Sequence, residues 1–275
     1  MDFMGYFLLI IMGITLGLIG AGGSILTIPI LVYSFDYNML KATTYSLAIV
    51  GSTALIGSFI YRKNINLKRA VLFLIPSVIG MFISRHFILT ALPKVIYGYE
   101  LNKILMLLLI CFMSIASFFM IKQNNQIVEV NYSDNKFTGI FLALNLGIIM
   151  GIIGAGGGFL IIPTLVLLMG FTIIEAIPTS LFIITINSLV GFFADKYQFS
   201  FDDWYQLSKF LICAYLGMLV GIFFARFIKA GNLKKYFGYF IILVAFSMFF
   251  REFIQNPKLN KIYSFMLTHT AYLHK

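Results

Sequence analysis

The chain has 275 residues, of which 60% are hydrophobic and only 11% charged, and its mean hydropathy is +0.96. A soluble domain carries about 25% charged residues, so this composition excludes an ordinary soluble protein and points to a lipid bilayer. The formal net charge of +10 sits in short loops between apolar runs, where it sets topology and meets lipid headgroups rather than nucleic acid.

The first apolar segment covers residues 3–35. It does not read as a cleaved targeting signal, because MDFMG contains an acid and no base. Its middle, GITLGLIGAGGSILTIP at 13–29, places Gly20, Gly22 and Gly23 within four residues. Each glycine costs about 1 kcal/mol relative to alanine in a helix interior, so a break near 20–24 is expected. Gly13 and Gly17, and likewise Gly147 and Gly151 further on, are four apart and suit close helix packing instead. An unbroken helix of this length would be about 50 Å long against a hydrocarbon core of about 30 Å. The segment must therefore tilt, protrude or re-enter.

Three whole spans follow, at about 43–61, 70–89 and 98–121. The loop YRKNINLKR at 61–69 holds four bases and no acid. Arg85 and His86 lie near a span end, where snorkelling to the interface accounts for them. The stretch IKQNNQIVEVNYSDNK at 121–136 is the long polar connection. A second broken segment covers 138–170, with its break near 154–158, and spans follow at 179–195, 207–228 and 236–254. Arg226, Asp36, Glu175 and Asp195 also fall at span ends. Cys111 and Cys213 lie inside apolar runs and read as buried small side chains without metal-ligand spacing.

The second broken segment copies the first. Residues 147–163, GIIMGIIGAGGGFLIIP, match 13–29 at eleven of 17 positions with an offset of 134. The same offset pairs Ser46 with Ser180 and Leu47 with Leu181, and a small shift pairs GMFIS at 80–84 with GMLVG at 217–221. The fold expected is an all-α polytopic membrane protein with about eight hydrophobic segments in two homologous four-segment halves. The first segment of each half is broken at its glycine-rich motif. The organisation is a first half at 1–121, a polar linker at 122–137, a second half at 138–254 and a tail at 255–275. Repeats of this kind are a mark of secondary transporters.

The halves are inverted if each broken segment re-enters and parallel if each one spans. DKYQFSFDD at 195–203 has one base and three acids where its counterpart at 61–69 is basic, which favours opposite faces. The basic tail fits the parallel arrangement better, so both stay open, with loop charge tipping the balance to inversion.

Irregular backbone at membrane depth is tolerated where it is buried or lines a polar cavity. A helix restarting after glycines aims its first N–H groups and its positive dipole end into the break. Glycine also removes the Cβ that would hold a ligand away. These are the ingredients of an anion site. The expected substrate-binding residues are Gly20, Gly22, Gly23, Ser24 and Ser46 in the first half, and Gly154, Gly156, Gly157, Gly158 and Ser180 in the second. The two breaks are expected to face each other near mid-membrane. Thr27, Thr43, Thr44, Thr179 and Asn187 are further hydroxyl and amide candidates, although membrane Ser and Thr often bond their own helix.

Two copies of a glycine-rich break followed by an apolar stretch and Pro29 or Pro163, then an A-x-x-x-S-L segment at 42–47 and 176–181, resemble the sulfite exporter TauE/SafE family. The resemblance covers about residues 5–250. It implies a multi-pass bacterial inner-membrane transporter of small sulfur-containing or organic anions such as sulfite and sulfonates. Ser24 departs from the second copy, which has Gly158 there, and TTYSL at 43–47 stands against IPTSL at 177–181.

The reading is therefore a secondary transporter of a small anion, working by alternating access, without cofactor or metal. Proton coupling is an option, with Asp36, Glu175, Asp195 and His86 as the titrating candidates. The glycines lack the Lys-Ser/Thr that a nucleotide loop requires. An intramembrane enzyme would need a base for Ser24, and only His86 lies within the spans, while the second copy lacks the serine. A channel or a non-transporting scaffold is the alternative. A channel would display rings of like charge or a polar stripe, and no span shows one in sequence. No motif bears on oligomeric state.

Overall fold

The computed structural model describes residues 2–20, 23–93, 95–96, 99–122, 136–154, 158–195, 197, 199–225, 227, 238–239 and 241–250. Outside these lie most of the expected linker, the whole expected tail, Arg226, and Gly22, Gly156 and Gly157. The long elements are all helical: α1 (Asp2–Ile19), α2 (Ser24–Phe35), α3 (Met39–Ile60), α4 (Leu67–Ile83), α5 (Leu89–Ala91), α6 (Leu101–Lys122), α7 (Lys136–Ile153), α8 (Gly158–Met169), α9 (Ile173–Ala194) and α10 (Phe201–Ala225). An apolar helix at Ile241–Phe250 follows, here α11. A π-type turn, Ser84–Ile88, joins α4 to α5, and a two-residue antiparallel ladder, β1 (Val95–Ile96) with β2 (Tyr99–Glu100), precedes α6. Among the described residues, four helices are long and apolar enough to cross a membrane: Met39–Ile60, Leu67–Ala91, Ile174–Ala194 and Phe201–Ala225.

Several helices begin earlier than hydropathy suggests, because side-chain caps outrank charge. Asn38 accepts the Lys41 N–H at 2.8 Å and starts α3, and Asn66 accepts that of Arg69 to start α4. Thr172 and Glu175 form a reciprocal capping box on α9. Ser200 and Asp203 exchange bonds at the head of α10. The first turns of these helices carry Lys41, Lys68, Arg69, Glu175, Asp202 and Asp203, which an apolar count assigns to loops.

Glycine decides which helices touch. Gly13 faces Ala214 and Gly217, and Gly17 faces Met218 and Gly221, so α1 runs parallel to α10 with the backbones in contact. Gly80 faces Leu144 and Ile148, Gly147 faces Ser77, and Gly151 faces Ser84, so α7 runs parallel to α4 in the same manner. These are the small-residue seams by which membrane helices approach closely, and the packing role expected for Gly13, Gly17, Gly147 and Gly151 is borne out. The helices α3 and α9 are antiparallel, with Gly191 near Leu47, Gly51 near Ser188 and Gly57 near Leu181. They are the most buried of the four long spans. The helices α1 and α2 form a hairpin: Gly23 packs on Met12 and Leu16, and Gly5 packs on Ser34 and Phe35.

Two expectations need correction. Cys111 is exposed on the apolar outer surface, which its place on α6 turns away from the core. The spans α3 and α9 do carry polar side chains inward: Thr43, Thr44, Ser46, Thr53 and Ser58 on one, and Thr179, Ser180, Thr185, Asn187 and Ser188 on the other, are buried. Many return their hydroxyl proton to a carbonyl three or four residues back, as Thr53 does to Ile49 and Thr185 to Leu181. The outer surface is apolar, with Phe82, Phe193, Phe223 and Phe246 exposed, as lipid contact requires.

The seams give a direct test. Gly217→Val or Gly147→Val pushes a branched side chain into the backbone of Ile10 or Ser77. Overpacking of this kind costs about 1–3 kcal/mol or more, and each variant is expected to lose its monodisperse peak in fluorescence-detected size exclusion. Gly139→Ala, with nothing within 4 Å, is expected to elute as the parent does.

Candidate functional site

Each glycine motif interrupts a helix at a residue that only glycine adopts freely. At the first, α1 closes with the Gly20 N–H bonded to Leu16 O at 2.8 Å, and Gly20 has φ 81°. At the second, the Gly154 N–H bonds to Met150 O at 2.8 Å and φ is 74°. Positive φ strains any residue with a Cβ. The chain then restarts as α2 at Ser24 and as α8 at Gly158.

The two breaks do not meet. Gly20 rests on Ile177, near the start of α9, whereas Gly154 rests on Thr43, near the start of α3. Because α3 and α9 are antiparallel, Ile177 is level with about residue 61 of α3. At 1.5 Å per residue, the breaks are roughly 27 Å apart along the bundle. The expectation that they face each other near mid-membrane is thereby corrected. The helix pairing explains it, since Gly20 docks on α9 and Gly154 on α3. The matched serines follow the same crossing. Ser46 lies one turn beyond Thr43, on the side of Gly154, and Ser180 lies one turn beyond Ile177, on the side of Gly20. Ser24, Ser46 and Ser180 are all fully buried. The Ser46 hydroxyl has no partner, while that of Ser180 donates to Ile177 O at 2.8 Å. Gly23 serves the hairpin contact with α1.

The second break has a feature that sequence reasoning missed. Arg85, on the π-type turn after α4, is only 1% exposed. It does not snorkel. Its Nη1 donates to Asp195 Oδ2 at 2.8 Å and to Thr43 Oγ1 at 3.2 Å, while Thr44 donates to the same carboxylate oxygen at 2.7 Å. The Tyr197 N–H reaches the other oxygen, Oδ1, at 3.1 Å. Nη2 lies beside Gly154, where a Cβ would collide with it and with Thr43. Nε, Nη2 and the neighbouring Ser84 hydroxyl are buried without partners. An unmade hydrogen bond at a buried polar group costs about 1–3 kcal/mol, and more at a charge, so this corner holds a cation with donors in reserve. π-type turns often mark functional positions in helices. The signal in sequence was a mismatch between copies: Arg85 aligns with Ile222, and Asp195 with Tyr61.

A second ionic cluster ties α3 to α10. Lys41 Nζ meets Asp203 Oδ1 at 2.7 Å, the Tyr45 hydroxyl donates to the same oxygen at 2.8 Å, and Ser200 donates to Oδ2 through both its N–H and its hydroxyl. The Lys41 ammonium also sits 4.5 Å above the Tyr37 ring. Every group there has a partner, which suits a clamp rather than a binding site. Among the described residues no group of His, Cys, Asp and Glu could hold a metal ion.

A family model described as Sulfite exporter TauE/SafE matches residues 6–248. The chain belongs to the TauE/SafE family. Among curated relatives, the probable membrane transporter protein YunE of Bacillus subtilis is 27% identical over 214 residues, covering 68% of this chain and 77% of that protein. A probable membrane transporter protein of Xylella fastidiosa is 24% identical over 256 residues, covering 88% and 92% respectively. The probable membrane transporter protein MJ0441 of Methanocaldococcus jannaschii is 30% identical over 114 residues, covering 40% and 43%. No solved structure matches the chain. Family membership and the apolar helices together make this TauE/SafE protein a multi-pass membrane protein of a transporter family, with the bilayer and a transported substrate as its partners.

Gly154→Ala and Gly170→Ala compare strain with contact in this TauE/SafE chain, since Gly170 also has positive φ, 64°, but nothing within 4 Å. The left-handed conformation costs a residue with a Cβ about 1–2 kcal/mol, so Gly170→Ala should melt slightly below the parent. Gly154→Ala should melt well below both, because it also displaces Thr43 and Arg85. Equal melting of the two variants would contradict the packing described at the second break.

Proposed function

We propose that this TauE/SafE protein is a secondary transporter of small anions, sulfur-containing or organic, such as sulfite or sulfonates. It works by alternating access across the bacterial inner membrane, and its substrate contacts lie at the two glycine-rich breaks. In this reading the chain is two inverted halves, 1–121 and 138–254, joined by the linker at 122–137 and followed by a tail at 255–275. The α1–α2 hairpin enters from one face, and the α7–α8 hairpin enters from the other.

The crossed packing is the observation that carries this reading. The first hairpin's α1 lies along α10 of the second half, α7 lies along α4 of the first, and α3 and α9 pair antiparallel between them. Two units exchanged in this way can rock about the central pair and expose opposite breaks in turn. Restarted helices at Ser24 and Gly158 offer N-terminal N–H groups, which favour an anion over a cation. The printed description of the family, a sulfite exporter, supports sulfur oxyanions as the first substrates to try. The driving force is the proton motive force or the substrate gradient itself.

Reconstituted liposomes test the reading. Sulfite, methanesulfonate, thiosulfate, sulfate and acetate fluxes are measured with and without an imposed pH gradient. At least one anion is expected to cross with saturable kinetics. Flux that never saturates would indicate a channel instead, and no flux of any anion would refute the proposed substrate class.

A further inference from the structure

The two breaks are built alike in backbone but not in chemistry. Gly20 rests on Ile177, whereas Gly154 rests on Thr43 and on Arg85, which is paired with Asp195. In the repeat alignment Thr43, Arg85 and Asp195 stand opposite Ile177, Ile222 and Tyr61. The correspondence holds in contacts as well as in alignment, since Gly17 packs on the backbone of Met218 and Ile222 while its copy Gly151 packs on Met81 and Ser84. Among these aligned positions, those at the second break carry a buried ion pair and a hydroxyl, and those at the first carry no ion pair.

We infer that the Nε–Nη2 edge of Arg85, with the buried Ser84 hydroxyl one turn along α7 from it, is an oxyanion-binding site at the second break. The inference rests on the transporter reading above and narrows it to a charged site at the second break. Arg85 uses Nη1 on Asp195 and Thr43, which fixes the guanidinium plane. The opposite edge, Nε with Nη2, is buried and without partners. That edge presents parallel N–H bonds, the fork that matches two oxygens borne on one atom. Gly154 lies against Nη2 and contributes no side chain to block the approach. Ser84, fully buried with its hydroxyl unpartnered, supplies a further donor. The fork, not net charge, selects the ligand: an oxyanion with two oxygens on one atom, such as a sulfonate, hydrogen sulfite or a carboxylate.

Thermal shift on the purified full chain, with sodium methanesulfonate as the probe and sodium chloride at matched ionic strength as the reference, tests this directly. Binding to the folded state alone raises the melting point. The parent is expected to gain several degrees at saturating methanesulfonate. Arg85→Lys keeps the charge and loses the fork, and it is expected to need at least tenfold more methanesulfonate for the same gain. Ser84→Ala leaves the ion pair intact and keeps the test open if Arg85→Lys does not fold; at least a threefold loss is expected. Ile222→Val, at the equivalent position of the first break, is expected to respond as the parent does. A parental response in both Arg85→Lys and Ser84→Ala would overturn the site while leaving the transporter reading intact. No response of the parent to methanesulfonate, sulfite or acetate would also overturn it, and liposome flux would then decide the transporter reading separately.

Discussion

Backbone-to-backbone contact at glycine is the constraint on which the rest of the structure depends. Lipid tails are as apolar as leucine, so helices in a bilayer gain little from hiding apolar surface and hold together by close packing. The seam of Gly13 and Gly17 with Gly217 and Gly221, and that of Gly80 with Gly147 and Gly151, allow that closeness. One seam binds α1 to α10, and the other binds α7 to α4. The location of both helix breaks follows, because α1 and α7 can end only where their seams carry them. Gly20 reaches Ile177 and Gly154 reaches Thr43, at opposite ends of the α3–α9 pair.

The buried pair of Arg85 and Asp195 is the second organising feature, and its energetics separate it from ordinary surface charge. Removing one member of a buried pair leaves an uncompensated charge and costs about 3–5 kcal/mol, whereas a well-packed apolar replacement of both can be neutral. Such a pair is weak evidence of a stabilising role. The aligned positions of the other half, Ile177, Ile222 and Tyr61, hold no ion pair among themselves. The buried Nε and Nη2 of Arg85, left without partners by that pairing, are what the proposed oxyanion site would use.

The sequence carried the local features well and the long-range ones poorly. The helix interruptions at Gly20 and Gly154, and the seam glycines four residues apart, are local properties of spacing. Cap signals at Asn38, Asn66 and Thr172 were equally local, but they were hidden by the charges that follow them. An arginine near a span end usually reaches water, and Arg85 is buried instead. Its partner Asp195 is 110 residues away, and no single-sequence pattern links the two. The separation of the breaks also depends on the antiparallel register of α3 and α9, set by Gly51 against Ser188 and Gly57 against Leu181. Periodicity along one helix carries no record of its neighbour. Comparing the two copies position by position supplies what periodicity does not, since Arg85 against Ile222 and Asp195 against Tyr61 stand out once the repeat is aligned.

The central claim is that the two broken hairpins enter the membrane from opposite faces. In a chain with Cys111 and Cys213 replaced by alanine, single cysteines at Asp36, just after α2, and at Thr172, just after α8, report the open ends of the two hairpins. Labelling of intact cells with a membrane-impermeant maleimide, compared with labelling of inverted vesicles, measures the side on which each one lies. The account predicts that one cysteine reacts only in cells and the other only in inverted vesicles. Reaction of both from the same side would contradict it.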